Sequence, residues 1–172
     1  MTTEYLLNEQ MEHVLSALTP SNRLAMRVCL HTGLRVGDVL ALKTERLAPQ
    51  FWITEQKTGK RRRVNLTAEL YKELAAHAGK IWVFPSRSDE KQHRSWQAVW
   101  ADVKRASKAF RLEQNVGPHS ARKIYAVDLM QKYGDIDRVR KALNHSSVSV
   151  TLLYAMADMR LRAKYRKKKR RP

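Results

Sequence analysis

The stretch "FWITEQKTGKRRRVNL", Phe51–Leu66, decides how the rest of the chain is read. Apolar Phe51, Trp52 and Ile53 lead into "QKTG", and a basic run then returns to Val64 and Leu66. Two short runs flanking a Thr-Gly pair predict strand, turn, strand. Most of the surrounding sequence has the period of helices instead. "NEQMEHVLSAL" opens with Asn8 as a candidate cap and carries Met11, Val14, Leu15 and Leu18 at helical spacing. "TPS" breaks that helix, "NRLAMRVCLHTG" predicts a second one stopped by Gly33, and "LRVGDVLALK" a short third despite Gly37. Beyond the hairpin, "TAELYKELAAHAG" reads as a helix capped by Thr67 and stopped by Gly79. "IWVFPS" reads as a short apolar strand ended by Pro85, and "SRSDEKQHRS" as a polar loop. Helices are expected at "SWQAVWADVKRASKAF", "PHSARKIYAVDLMQKYG" and "DIDRVRKALN". The expected fold class is mainly α with a small antiparallel β-hairpin (α+β), an architecture that does not by itself settle function.

Charge narrows the partner. Lys plus Arg number 34 against 16 Asp plus Glu, a net charge of +18 over 172 residues. The last 13 residues, "RLRAKYRKKKRRP", hold nine basic residues and no acid, which leaves +9 on the other 159. The body is therefore basic as well as the tail, as suits a polyanion partner, most often nucleic acid. No run of 18 apolar residues offers a membrane span. The start, "MTTEYLLNEQ", lacks the basic-then-apolar pattern of a secretory signal. The lone Cys29, inside "LAMRVCLHTG", reads as a buried structural thiol. The six His are scattered without metal-ligand spacing, so no metal or other cofactor is expected.

Several weak signals carry chemistry. In "GPHSARKIYA", Pro118 suits the first helical position, and His119 and Arg122 lie three apart on the first turn. An imidazole and a guanidinium at a helix N-terminus make a phosphate site, or simply a solvated basic helix start. In "HTGLRVGDVLAL", Arg35 opens a helix and Asp38 follows three residues on, either to orient the guanidinium or as a surface ion pair of little worth. The hairpin tip carries Lys57 and Lys60, with Arg61, Arg62 and Arg63 on the returning strand. That is either a solvated basic edge or a mobile loop that enters a DNA groove and brings an ammonium to a phosphate. Finally, "LNHSSVSVTLLYAMAD" places Tyr154 nine residues after His145. On one α-helix nine residues are two and a half turns, so the two side chains would face opposite ways. They share a site only if the chain turns between them. Asn144 tolerates a helix-ending conformation and Ser146 or Ser147 can cap the next helix, so a break is expected at Asn144 to Ser147.

Arg35, Lys57, His119, Arg122, His145 and Tyr154, in that order, resemble the active-site signature of the tyrosine recombinases, the lambda-integrase type of phage integrase. The contexts "TGLR", a hairpin Lys before Thr-Gly, His-x-x-Arg opening a helix, and "LNHSS" before the Tyr agree as well. The resemblance covers roughly residues 8 to 157. Departures are small: Asn144 for the usual Gly, Asp38 where Glu is commoner, and Ala121 for a bulkier apolar residue. The resemblance implies a catalytic domain at 1–157 and a basic tail at 158–172, with the usual N-terminal core-binding domain absent from this chain.

The resemblance implies a site-specific DNA recombinase that cleaves and rejoins strands through a 3′-phosphotyrosyl bond without metal or ATP. Tyr154 would attack the phosphorus, and Arg35 and Arg122 would clamp its non-bridging oxygens. Lys57 would protonate the leaving 5′-oxygen, and His119 would accept the tyrosine proton or hold the phosphate. His145 would donate a hydrogen bond to the phosphate, and Asp38 would orient the site. Lys60, Arg61, Arg62 and Arg63 would contact DNA backbone. Double-stranded DNA, self-association as a recombinase tetramer on it, and a place in the prokaryotic cytoplasm or nucleoid follow from the same resemblance. A type IB topoisomerase and a non-catalytic DNA-binding remnant of an integrase are the alternatives.

Overall fold

The computed structural model describes residues 3–143. Among these residues, seven helices and one hairpin run in the order α1 (Asn8–Ser16), α2 (Pro20–Thr32), α3 (Val36–Leu40), β1 (Gln50–Thr54), β2 (Arg61–Asn65), α4 (Ala68–His77), α5 (Trp96–Ala109), α6 (Pro118–Tyr133) and α7 (Ile136–Ala142). A 3₁₀ turn, Thr44–Arg46, precedes the hairpin. The expected class, mainly helical with one antiparallel pair, is what the chain adopts.

The helix ends follow local chemistry. Asn8 lies inside α1 rather than capping it: Leu7 is the cap residue, and the Gln10 side chain reaches back to accept the Leu7 N–H at 3.1 Å. α2 begins earlier than its apolar run, because Pro20 takes the first helical position, where its missing N–H costs nothing. Thr67 and Ser95 cap α4 and α5 through their hydroxyls, accepting the N–H of Leu70 and Ala98 at 3.2 Å each. β1 and β2 pair antiparallel, with Phe51 opposite Val64 and Ile53 opposite Arg62. The tip turns through Gly59, whose φ of +66° suits a residue without a Cβ.

"IWVFPS" departs from the expected strand. Val83 and Phe84 are fully buried, but the segment makes only isolated bridges, Lys43 to Trp82 and Pro85 to His93. Its neighbours are a 3₁₀ turn and a polar loop, neither of which offers a ladder, and Pro85 removes a donor. Burial alone made this run look like a strand.

The main core joins faces of α1, α2, α3, α5 and α6 with Phe51 and Val64 from the hairpin, and α2 and α6 pack directly on each other. Each fully buried side chain such as Met26, Leu40 or Ile124 contributes roughly 1.5–3 kcal/mol relative to exposure. Cys29 lies in this core, where burial pushes its thiol up to about 12, as befits an inert structural residue. A smaller cluster, Ala126, Val139 and Leu143, seats α7 on α6. Among the described residues no helix is long and apolar enough to cross a membrane.

Candidate active site

The site begins where α2 ends. Gly33 caps α2 at φ +66°, its N–H donating to Cys29 O at 2.8 Å. Its α-carbon lies under the ring of Tyr125 on α6, so a Cβ there would collide with the ring. The left-handed turn swings the chain into α3, with Arg35 as the residue preceding that helix. Asp38, in the first turn of α3, is buried, and its Oδ1 accepts the main-chain N–H of Gln56 at 2.9 Å. Its Oδ2 has no hydrogen-bond partner among the described residues. Burial pushes the Asp38 carboxyl up and the Glu55 charge adds to this. The Gln56 N–H and the charges of Arg35 and Arg122 oppose the rise without cancelling it.

The hairpin meets this corner through Glu55. Strand alternation turns Phe51 and Ile53 inward, and Glu55 continues the same face just past β1. Its side chain is fully buried, and Oε2 accepts from Arg35 Nη1 at 2.5 Å and from the Thr58 hydroxyl at 3.1 Å. Burial alone would raise the Glu55 carboxyl. The hydrogen bond and charge of Arg35, the charge of Arg122 and the Thr58 hydroxyl outweigh it and hold the group below its ordinary value. Main-chain bonds close the tip: Glu55 N–H donates to Lys60 O at 3.0 Å and Gly59 N–H to Glu55 O at 2.8 Å. Lys57 stands in this fastened turn with its side chain exposed.

The same alternation separates the three arginines of β2. Arg61 and Arg63 face outward with Trp52, and Arg61 lies 5.4 Å from the centre of the Trp52 ring. Arg62 faces inward, unlike the DNA-facing side chain expected of it. Its guanidinium donates to the main-chain oxygens of Thr32 and Ala142 and lies 3.8 Å from Glu55 Oε1. It therefore joins the end of α2, the hairpin and the end of α7. Lys60 is exposed at the tip.

α6 supplies His119 and Arg122. Arg122 is not a solvated first-turn cation, the blander of the two readings of this helix start. It is 5% exposed, and its two terminal nitrogens donate to the main-chain oxygens of Gly33 and Leu143. His119, one turn earlier, is exposed. Partial desolvation pushes its imidazole down, and the positive charges of Arg122, Arg35, Lys57 and Lys123 push it further the same way. Arg35, Lys57 and Arg122 thus all stand within electrostatic reach of His119, although the four residues come from three separate stretches of sequence. His145, Tyr154, the expected break at 144–147 and the basic tail at 158–172 lie outside the described residues.

Glu55 escaped the sequence reading. It is the only acid between Glu45 and Glu69, set among basic residues, and it falls on the inward parity of β1. Those two signals mark it. Arg62 shares parity with the apolar Val64, but within a run of three arginines that parity does not by itself separate it from its DNA-facing neighbours.

Residues 4–160 match the model of the phage integrase family. Among curated relatives, the chain is 29% identical over 135 residues to "Probable integrase/recombinase YoeC" of Bacillus subtilis strain 168, covering 75% of this chain and 74% of that protein. It is 27% identical over 154 residues to the integrase of Escherichia phage P2, covering 89% of this chain and 43% of that one. In fold it is similar to a lambda integrase tetramer bound to a Holliday junction, with a TM-score of 0.73 at 20% identity over 90% of this chain and 48% of that one. The chain thus spans less than half the length of the latter two. A tied hairpin lysine beside two arginines and a histidine, on a fold shared with lambda integrase, agrees with the family match: the chain belongs to the phage integrase family, the tyrosine recombinases, as its catalytic domain.

Proposed function

We propose that this chain cleaves and rejoins double-stranded DNA at specific sites through a 3′-phosphotyrosyl intermediate. The observation that carries the reading is the convergence of Arg35, Lys57 and Arg122 around a His119 whose imidazole their charge disfavours protonating. A phosphodiester under attack gathers negative charge on its non-bridging oxygens, and fixed cations stabilise that charge more than the ground state. Arg35 is fixed by Glu55, and Arg122 by the oxygens of Gly33 and Leu143, so neither has to be ordered when DNA arrives.

Tyr154 Oη bonds to phosphorus while the bond from phosphorus to the 5′-oxygen breaks. His119, neutral at ordinary pH, accepts the tyrosine proton. Lys57 gives a proton to the departing 5′-oxygen, and His145 donates a hydrogen bond to the phosphate. A 5′-hydroxyl from another strand then reverses the chemistry, and the energy of the linkage is kept in the phosphotyrosyl bond. Asp38 orients the hairpin rather than touching DNA. Lys60, Arg61 and Arg63 contact backbone phosphates, whereas Arg62 holds the site together. Assembly as a tetramer on DNA, in the prokaryotic cytoplasm or nucleoid, is part of the same proposal, supported by the likeness to a DNA-bound integrase tetramer.

The test incubates the full chain with a randomised pool of nicked duplexes that trap the cleaved state, followed by a denaturing gel. A covalent protein–DNA adduct is expected from the natural sequence and none from Tyr154→Phe. No adduct from folded, DNA-binding protein, or one that persists in Tyr154→Phe, overturns the proposal. Plasmid relaxation without strand exchange would mark a type IB topoisomerase instead.

A further inference from the structure

We propose that Glu55 is a positioning residue for strand cleavage, a single buried carboxylate that sets the phosphate-clamping Arg35 and the proton-donating Lys57 in register with each other. The inference rests on the cleavage chemistry proposed above.

The geometry is specific. Oε2 of Glu55 accepts from Arg35 and from Thr58, the residue immediately after Lys57. The main chain of Glu55 closes the loop on both sides of Lys57, taking the Gly59 N–H at 2.8 Å and giving its own N–H to Lys60 at 3.0 Å. Gln56, immediately before Lys57, is held by Asp38. The lysine is thus flanked by anchored residues while its own side chain remains exposed. Through Oε1 the carboxylate also faces Arg62 at 3.8 Å. A buried acid surrounded by arginines would be a costly way to fill space, since an apolar side chain fits a core without needing partners. Its geometry instead links two groups that act on different oxygens of one phosphate. An arginine that grips the non-bridging oxygens and an ammonium that reaches the 5′-oxygen must agree in position to within a fraction of an ångström. One shared acceptor enforces that agreement.

The linkage predicts which step suffers. Displacing Lys57 impairs protonation of the leaving 5′-oxygen, and a leaving group that needs no proton removes that impairment. A duplex recovered from the nicked pool is made with sulfur in place of the bridging 5′-oxygen. Cleavage then breaks the bond from phosphorus to sulfur and releases a 5′-thiolate, with Tyr154 and His119 acting as before. Thr58→Val, at an exposed position, removes the Glu55 link to the lysine turn together with the long 3.4 Å bond from the Lys60 N–H, and leaves the Glu55–Arg35 pair in place. Glu55→Gln keeps the size of the side chain and removes the charge that holds Arg35.

On the oxygen substrate both variants are expected to form adduct about tenfold or more slowly than the natural sequence, because part of the general-acid contribution is lost. On the sulfur substrate Thr58→Val recovers to within about threefold of the natural sequence, and Glu55→Gln recovers only in part, because its Arg35 stays displaced. A folded Glu55→Gln protein that cleaves the oxygen substrate at the natural rate overturns the proposal. So does an equal loss on both substrates in Thr58→Val, which would be a structural defect alone. If Glu55→Gln does not fold by circular dichroism, Thr58→Val decides: an oxygen-only loss supports the linkage, and no loss overturns it. Absence of any adduct from the natural sequence would instead refute the cleavage reading, so the two failures are distinct.

Discussion

The main-chain N–H of Gln56 donates to Asp38 Oδ1 at 2.9 Å, fastening the hairpin turn to the first turn of α3. That bond places the residue beside Lys57 against the helix that Arg35 introduces. Asp38→Ala leaves the N–H without its acceptor and is expected to cost about 1–3 kcal/mol by denaturant unfolding. Asp38→Asn retains an acceptor at that place. The native Asp38 carboxyl binds its proton more tightly than the unfolded chain does. Its contribution to stability is therefore full below the ordinary carboxylate pKa and is lost as pH rises through the raised native value. Asparagine escapes that loss. The stability of Asp38→Asn relative to the natural sequence should thus improve as pH rises from acid toward neutral.

Gly33 and Gly37 are expected to respond in opposite ways to alanine. Gly33 sits at φ +66° beneath the Tyr125 ring, so Gly33→Ala combines backbone strain with a collision. The expected loss is about 2 kcal/mol or more in thermal or denaturant unfolding. Gly37 lies in α3 with open space where a Cβ would go. Gly37→Ala should leave stability unchanged or raise it by up to about 1 kcal/mol.

The arginines of β2 divide by face. Arg61→Ala and Arg63→Ala should leave folding stability within about 0.5 kcal/mol. Each should weaken DNA binding and reduce the slope of log affinity against log salt by about one, as measured by titration at several salt concentrations. Arg62→Ala should behave differently, because it removes donors from Thr32 O and Ala142 O and leaves Glu55 short of a cation. A loss of about 3 kcal/mol in unfolding is expected.

His119 provides a pH marker. Desolvation and its cationic neighbours hold the imidazole below its usual value, so its NMR titration midpoint should fall under about 6.5. Arg35→Gln removes one of those charges and should move the midpoint upward. If the neutral ring is the base, adduct formation falls as pH drops through that midpoint, because the protonated ring accepts no proton.

Helices are local structures, and most of this fold was legible for that reason. Periodic apolar positions, Thr67, Pro118 and Gly33 marked elements and ends that need no distant partner. The segment at Val83 and Phe84 was misleading because an apolar run reports burial, while a strand also requires a neighbour with free ladder groups. Asn8 was misplaced by one position because Gln10, three residues on from Leu7, supplied the cap from inside the helix.

By itself the sequence determined which reactive groups this protein carries, in what order, and that its body is a polycation. Residue type and local context suffice for that, because a guanidinium, an ammonium and an imidazole keep their chemistry wherever the chain places them. Only the tertiary structure decided which cations face outward and which are fixed inside. Arg62 and Arg122 are two basic residues among many in the sequence, and in the fold they hold main-chain oxygens at the ends of α2 and α7. Glu55, one acid among many bases, became the partner that Arg35 and the lysine turn share. Those assignments depend on contacts between residues about 20 to 90 positions apart in the chain, brought together by the packing of α2, α6 and the hairpin.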